Sequence, residues 1–293
     1  MENDKLQRAK EVWENSLKLA GSDCLFKSGV KELSEFFNMT EREVTGILPQ
    51  SVEIFAKEWE RKNIDIKNEN SVNDFYNGTS SEIFELMDWH INKFTTGPLH
   101  YVRALEIAKQ LDLKAYLDYG SGIGSGAIVF LRNGFSDIAC ADIAEPLRKF
   151  VDYRLKKRNM KASLIDLRTE KLDKARYDLI TCFDVLEHTT NPRRILKDLR
   201  DALKDGGFLI LNNADCGTDE DRPMHISTAK LEKRLRGMGF QQLWNFQNEF
   251  KELSPEYVLV LKKIKRHFMH NFLFYLYDGF CPKWLVRIVH KLK

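Results

Sequence analysis

The sequence predicts an α/β chain: seven strands in a mostly parallel sheet, a terminal antiparallel hairpin, and a helical segment in front. Three observations carry this. From Ala115 onward, short apolar runs alternate with helix-length amphipathic patterns, which implies a parallel sheet covered by helices on both faces. Directly behind the first run stands the glycine-rich "LDYGSGIGSGA", a loop that neither a helix nor a well-filled strand accommodates. Residues 1–97 show helical spacing only.

In chain order, "VKELSEFF", "TEREVTGIL" and "SVEIFAKEWERK" place apolar residues at helical spacing, and Thr40 with Glu43 fits a capping box. The Asn-rich 63–78 reads as a loop, Ser80 or Ser81 opens "SSEIFELMDWHINKFT", and Pro98 fits the first turn of a helix through Leu111. Then come the strand "AYLDY", the glycine loop, and a helix from about Gly124 to Asn133. "DIACAD" is the second strand, "PLRKFVDYRLKKRN" a helix begun by Pro146, "ASLID" the third strand and "YDLITCF" the fourth. A helix from about Pro192 to Leu203 leads through Asp205-Gly206-Gly207 to the fifth strand, "GGFLILNN". "TAKLEKRLRGMG" is a helix, and "FQQLWNFQN" with "EYVLVLKKI", joined without one, form the antiparallel hairpin. The predicted units are a helical domain over 1–97, the sheet domain over 98–264, and a tail over 265–293.

Bulk properties narrow the function classes. The 293 residues are 43% hydrophobic and 30% charged with a net charge of +3, a globular composition. Residues 1–100 carry 12 Lys/Arg against 18 Asp/Glu, a net −6. The rhythm of 30–48 suggests a helix-turn-helix, but that charge argues against phosphate binding, so no nucleic-acid partner is expected. The five cysteines (Cys24, Cys140, Cys182, Cys216, Cys281) show no C-x-x-C pair or metal-ligand spacing. They suggest reduced core thiols and a cytoplasmic location. The charged first residues do not resemble a secretory signal, and no run of ~18 uncharged apolar residues suggests a membrane span.

In such a sheet, ligands sit at the carboxyl ends of the strands near the switch point. The loop joins a strand to a helix N-terminus, with its unpaired N–H groups and positive dipole end. Glycines let a ligand lie against the backbone. A dinucleotide G-x-G-x-x-G/A pattern fails from Gly120 at Ser125 but fits from Gly122 through Gly124 to Ala127. The pattern acid-x-G-x-G-x-G fits from Asp118 through Gly120, Gly122 and Gly124. "LDYGSGIG" thus resembles motif I of the class I S-adenosylmethionine-dependent methyltransferases. The resemblance covers residues 115–264: "ADIAEP" puts Asp142 at the end of the second strand, 22 residues after Gly120, "SLIDL" puts Asp166 at the end of the third, and "YDLITCFDVLEHTTNP" and "LKDGGFLILNN" resemble the fourth- and fifth-strand motifs. Tyr119 departs mildly from the pattern, since many relatives have a small residue or Val there.

The resemblance implies a Rossmann-like sheet, S-adenosyl-L-methionine as cofactor, and in-line methyl transfer to a small-molecule acceptor at oxygen, nitrogen or carbon. It implies that Asp118 and the amides of Gly120, Ser121, Gly122 and Gly124 hold the methionine end. Asp142 and Ile143 would meet the ribose side, Asp166 and Leu167 the adenine, and Phe183 and Asp184 the pocket border. His188 and His225 are the base candidates, needed where the acceptor keeps a proton. The segment before the first strand forms a lid in this family, making Tyr76, Trp89, His90, His100 and Tyr101 candidate substrate-wall residues. On a helical turn Asp184, Glu187 and His188 would share a face. They would then hold a divalent cation, as a similar cluster suggests in the ubiquinone-pathway O-methyltransferases, or serve structural hydrogen bonds; the sequence leaves the metal open.

Similar helical modules in small-molecule O-methyltransferases dimerise and close the pocket, so a homodimer is an open expectation. The basic, aromatic tail 265–293, net +5, has an amphipathic pattern from Trp284. That pattern fits peripheral membrane contact or packing within the protein. Two rival classes stand beside the enzyme: a catalytically silent binding or scaffold protein on the same fold, and a nicotinamide oxidoreductase.

Overall fold

The computed structural model describes residues 2–92, 96–212, 235, 237–243 and 258–265. Six helices come first: α1 (Glu2–Leu17), α2 (Leu25–Phe37), α3 (Glu41–Ile47), α4 (Ser51–Lys62), α5 (Glu69–Gly78) and α6 (Ser81–Asn92). The α/β part follows as α7 (Thr96–Gln110), β1 (Ala115–Tyr119), α8 (Ser125–Arg132), β2 (Asp137–Asp142), α9 (Glu145–Lys157), β3 (Ser163–Asp166) and β4 (Tyr177–Cys182). It ends with α10 (Pro192–Ala202), β5 (Leu203–Asn212), β6 (Phe240–Gln242) and β7 (Val258–Lys263).

The strands form one seven-stranded sheet in the order β3-β2-β1-β4-β5-β7-β6. β1 to β5 are parallel, while β7 runs antiparallel to both β5 and β6. All five residues of β1 are buried, as expected for a strand covered on both faces. The chain starts at β1, moves outward through β2 and β3, then returns to β4 on the other side. That reversal opens a crevice above the carboxyl ends of β1 and β4, where the glycine loop lies.

Two local signals open helices, the first of them expected. Thr40 and Glu43 form a complete capping box at α3, and Asn191 caps α10, with Pro192 in its first turn. One expectation is corrected. Part of the stretch 63–78 read as loop is α5, opened by the Asn68 side chain, which accepts from the amides of Asn70 and Ser71 at 3.0 and 3.4 Å. Burial of Val72, Phe75 and Tyr76, at i, i+3 and i+4, outweighs the weak helix propensity of its asparagines.

The first helices share a core with the α/β part. Trp13 of α1 stacks on Tyr101 of α7 with ring centroids 6.2 Å apart. Val30, Leu33 and Phe84 belong to the same apolar cluster as Leu147 and Phe150 of α9. Cys140 and Cys182 are buried free thiols, and Cys24 is exposed. Among the described residues no helix is long and apolar enough to cross a membrane. His225, Cys216, Cys281, residues 228–234 and 236 of the expected "TAKLEKRLRGMG" helix and the tail beyond Lys265 lie outside the described residues.

Candidate functional site

The glycine loop folds back onto the end of β2. The amides of Gly120 and Ser121 donate to the Ala141 carbonyl at 2.8 and 3.2 Å, and the Gly122 amide donates to Asp142 Oδ2 at 3.0 Å. Gly120 adopts φ +68°, and a Cβ there would fall 2.2 Å from a Val185 methyl. Glycine is therefore required twice over, by conformation and by the approach of the β4 loop. Above the loop opens a cleft of about 730 Å³, lined by Gly120, Ser121, Gly122, Asp142, Ile143 and Leu167 on the sheet side. Phe183, Asp184 and His188 line it from the β4 side, and Tyr76, His90 and Tyr101 from the helices.

Asp142 is 6% exposed. Its Oδ1 accepts from the Ala144 amide at 2.9 Å and its Oδ2 from Gly122. Each oxygen therefore keeps lone-pair capacity for a second donor. Burial pushes its carboxyl up to about 6, against the pull of those backbone donors. Asp118 lies beneath the wall rather than on it. It is fully buried, and its Oδ1 accepts from the Tyr101 and Thr181 hydroxyls at 3.2 and 3.1 Å. Burial raises its carboxyl to about 7. A Cβ on Gly126 would fall 2.6 Å from Asp118 Oδ2 and 2.2 Å from Tyr101 Cε1. The fourth glycine of the run thus makes room for this buried pair.

The other predicted residues divide. Tyr119 lines the cleft. Gly124 (φ +73°) caps α8 and packs against Val151, off the wall. Asp166 ends β3 but pairs with Arg148 at 2.8 Å and is not on the wall, although its neighbour Leu167 is. Trp89 and His100 do not line the cleft; His100 is buried against Phe183, with ring centroids 5.2 Å apart. His188 Nδ1 lies 3.0 Å from the Tyr76 hydroxyl, a contact spanning 112 residues. The shared face expected of Asp184, Glu187 and His188 does not form. Asp184 takes a left-handed φ of +52° and exchanges hydrogen bonds with Asn212, and only Leu186–His188 form a short 3₁₀ turn, with Glu187 buried. Among the described residues, no group of three His, Cys, Asp or Glu side chains could hold a metal ion.

Three features were missed in the sequence. Glu82 lines the cleft with Oε2 shut from solvent and accepting no hydrogen bond. Burial, with the Asp142 and Glu85 carboxylates nearby, raises it well above the ordinary carboxylate range. Its place in the first turn of α6 reads in sequence as an ordinary dipole-facing acid. The second is the buried contact of Glu32 with Arg154 and Arg158, all under 8% exposed. Here a signal existed. Arg154 follows Leu147, Phe150 and Val151 on the apolar arc of α9, and Glu32 continues the buried series Leu25, Ser28, Gly29 on α2. A charge on a buried stripe needs a partner. The third is the Tyr101–Asp118 bond described above.

Residues 96–251 match the family model described as a methyltransferase domain. The chain belongs to the methyltransferase domain family. Its sheet order and terminal antiparallel strands are those expected of the class I, Rossmann-like members. Among curated methyltransferases it is 29% identical over 132 residues to a ubiquinone biosynthesis O-methyltransferase of Coxiella burnetii, covering 43% of this chain and 56% of that one. It is 26% identical over 124 residues to the enzyme of that name from Bordetella avium, covering 39% and 51%. The chain spans about half the length of the curated relatives it matches. Solved structures that resemble it include a phosphoethanolamine N-methyltransferase of Haemonchus contortus, at 18% identity and a TM-score of 0.47, covering 64% of this chain and 48% of that one. An S-adenosylmethionine-dependent methyltransferase of Clostridium acetobutylicum matches at 20% identity and a TM-score of 0.35, covering 38% and 48%.

Proposed function

We propose that this methyltransferase-family chain transfers a methyl group from S-adenosylmethionine to a small-molecule acceptor, with a hydroxyl oxygen favoured over nitrogen or carbon. The observation that carries the reading is the juxtaposition of bare main chain at Gly120–Gly122 with the buried Asp142 carboxylate. Together they offer close backbone approach and lone pairs suited to a vicinal diol. Ile143 and Leu167 add apolar surface for a flat base. The bound cofactor supplies an activated methyl on a sulfonium, so the protein chiefly orients an acceptor and excludes water. Asp118, at the end of β1 just before the loop, ties β1 to α7 and β4 through the Tyr101 and Thr181 hydroxyls. His188, with Nδ1 3.0 Å from the Tyr76 hydroxyl, lines the cleft and is the candidate to take a proton from an acceptor hydroxyl. The names of the curated relatives support oxygen as the acceptor atom.

Calorimetry with S-adenosylmethionine and S-adenosylhomocysteine tests the cofactor. Binding of both is expected, and binding of neither rejects the reading in favour of a silent scaffold. Once an acceptor is in hand, His188→Ala should lower kcat by about 10²-fold or more while leaving cofactor affinity in place. An unchanged kcat removes His188 as the base and leaves His225 as the candidate to examine.

A further inference from the structure

A buried polar chain runs from α2 through α9 and the glycine loop to α6. Arg154, 1% exposed, lies against Glu32 at 3.3 Å and donates from Nη1 to the Ile123 carbonyl at 2.7 Å and to Ser125 Oγ at 2.9 Å. Ser125, also 1% exposed, stands 2.8 Å from His90 Nδ1. Ser125 Oγ has no other side-chain or backbone partner among the described residues. The hydroxyl owns one proton and must place it. It cannot give it to the guanidinium, which only donates. Among the described residues the single acceptor within reach is His90 Nδ1. With Ser125 donating there, the imidazole carries its own proton on Nε2. The alternative, with Nδ1–H donating to Ser125, strands a buried hydroxyl proton, a desolvation cost that folded proteins avoid.

We propose that His90 is held as a neutral Nε2–H tautomer that donates a hydrogen bond to a carboxylate of the bound ligand, with Arg154 and Ser125 as positioning residues. Three facts direct the assignment. His90 lines the cleft, and among the described residues no group hydrogen-bonds its Nε2. Its ring is fixed from behind, since the Trp13 indole meets it edge-on at 5.4 Å and donates to its carbonyl at 3.0 Å. Its electrostatic surroundings favour an anion over a base. Two arginines share Glu32 behind the loop, and α8 begins at Ser125 with its positive dipole end. Burial and the nearby Arg154 charge push the His90 imidazole down to about 3, so it stays neutral across the physiological range. The carboxylate it meets rests on the proposed function: it is the amino-acid end of the cofactor.

Two measurements on the full chain test this. Imidazole nitrogen spectra of ¹⁵N-histidine-labelled protein, with the His90 signals identified by their loss in His90→Phe, report the tautomer directly. A protonated Nε2 and bare Nδ1 from pH 5 to 8 are expected, with that preference lost in Ser125→Ala. A protonated Nδ1 in the wild type overturns the proposal. Calorimetry then compares S-adenosylhomocysteine with 5′-methylthioadenosine, which lacks the amino-acid end. His90→Phe should weaken S-adenosylhomocysteine by about tenfold to hundredfold, leave 5′-methylthioadenosine unchanged, and be partly rescued by His90→Gln, whose amide still donates. Equal effects on both compounds, or on neither, overturn the proposal while the cofactor reading stands. Wild-type protein that binds neither compound refutes the cofactor reading itself.

Discussion

On the sheet side of the cleft, between Gly120 and Asp142, the chain offers main chain and one carboxylate supplied by residues 22 positions apart. On the helical side, Tyr76 and His90 offer side chains held by groups far away in sequence, and Glu82 adds a buried carboxyl. His90 is fixed through Ser125, 35 residues on, and Tyr76 meets His188, 112 residues on. The floor is thus a local structure that needs little from the rest of the fold. The wall exists only once α2, α6 and α9 have docked. Damage to the floor should therefore cost ligand affinity with little stability, and damage behind the wall should cost both.

The largest expected effect follows from Glu32. Replacing it by Leu leaves Arg154 and Arg158 buried without their shared carboxylate. Burial opposes the Glu32 charge, yet the two arginines hold its carboxyl below the ordinary range, so the interaction is net favourable to the ion. Breaking a buried pair typically costs about 3–5 kcal/mol, and with two arginines orphaned the loss should lie near about 5 kcal/mol in denaturant unfolding. Cofactor affinity should fall with it, because Arg154 also holds the Ile123 carbonyl of the loop. Wild-type stability in Glu32→Leu would mean that the helical wall docks without this contact.

Next is a pH dependence carried by Asp142 on the floor and Asp118 buried beneath it. Asp118 and Asp142 titrate at about 7 and about 6 in the folded chain, from ordinary values of 3.8. Between those values these two groups bind more protons in the folded than in the unfolded state, so their contribution to stability falls as pH rises. The contribution of these two carboxylates should be present near pH 4 and lost by about pH 7, with Asp118 contributing on the order of 4 kcal/mol, while the buried neutral His90 and His100, pushed down to about 3, act with the opposite sign below about pH 6. Urea titrations of the wild type and Asp118→Asn at several pH values isolate the Asp118 part: the stability difference between them should shift in the variant's favour as pH rises from about 4 to about 7. A difference that stays constant, or moves in the wild type's favour, would contradict the burial assigned to Asp118.

Asp142→Ala is the sharper test of the floor. It should weaken S-adenosylhomocysteine by about 1–3 kcal/mol, the cost of leaving the ligand's hydroxyls unpaired. In the wild type, affinity should also drop below about pH 6, as the carboxyl gains its proton. The variant should lack that dependence. Unaltered affinity would show that Asp142 does not face the ligand.

The same contrast explains what could be read from the chain before folding. Strand ends, the glycine loop and the α3 capping box depend on spacings of a few residues, so composition and periodicity reveal them. Asp142 was legible because its position relative to Gly120 follows from one strand–helix–strand repeat. The face expected of Asp184, Glu187 and His188 failed because helical spacing does not hold where the backbone turns left-handed at Asp184. Glu32 and Arg154 each sit on an apolar stripe, but the sequence does not name the partner 122 residues away, so the pair itself escaped notice. α5 was lost for a different reason: asparagines mark loops and caps alike, and only the burial of Val72, Phe75 and Tyr76 decides between them.

That ambiguity supplies the smallest test and the one most specific to the wall. Asn68 caps α5, and α5 presents Tyr76 to His188. Asn68→Ala removes the acceptor for two first-turn amides and should cost about 1 kcal/mol of stability. The floor is untouched, so S-adenosylhomocysteine affinity should stay at the wild-type value. Turnover should nevertheless drop in the direction of His188→Ala, because a frayed α5 no longer holds the Tyr76 hydroxyl against the imidazole. If turnover stays at the wild-type level while stability falls, the Tyr76–His188 contact is a packing feature of the wall, and proton transfer must be sought elsewhere in the cleft.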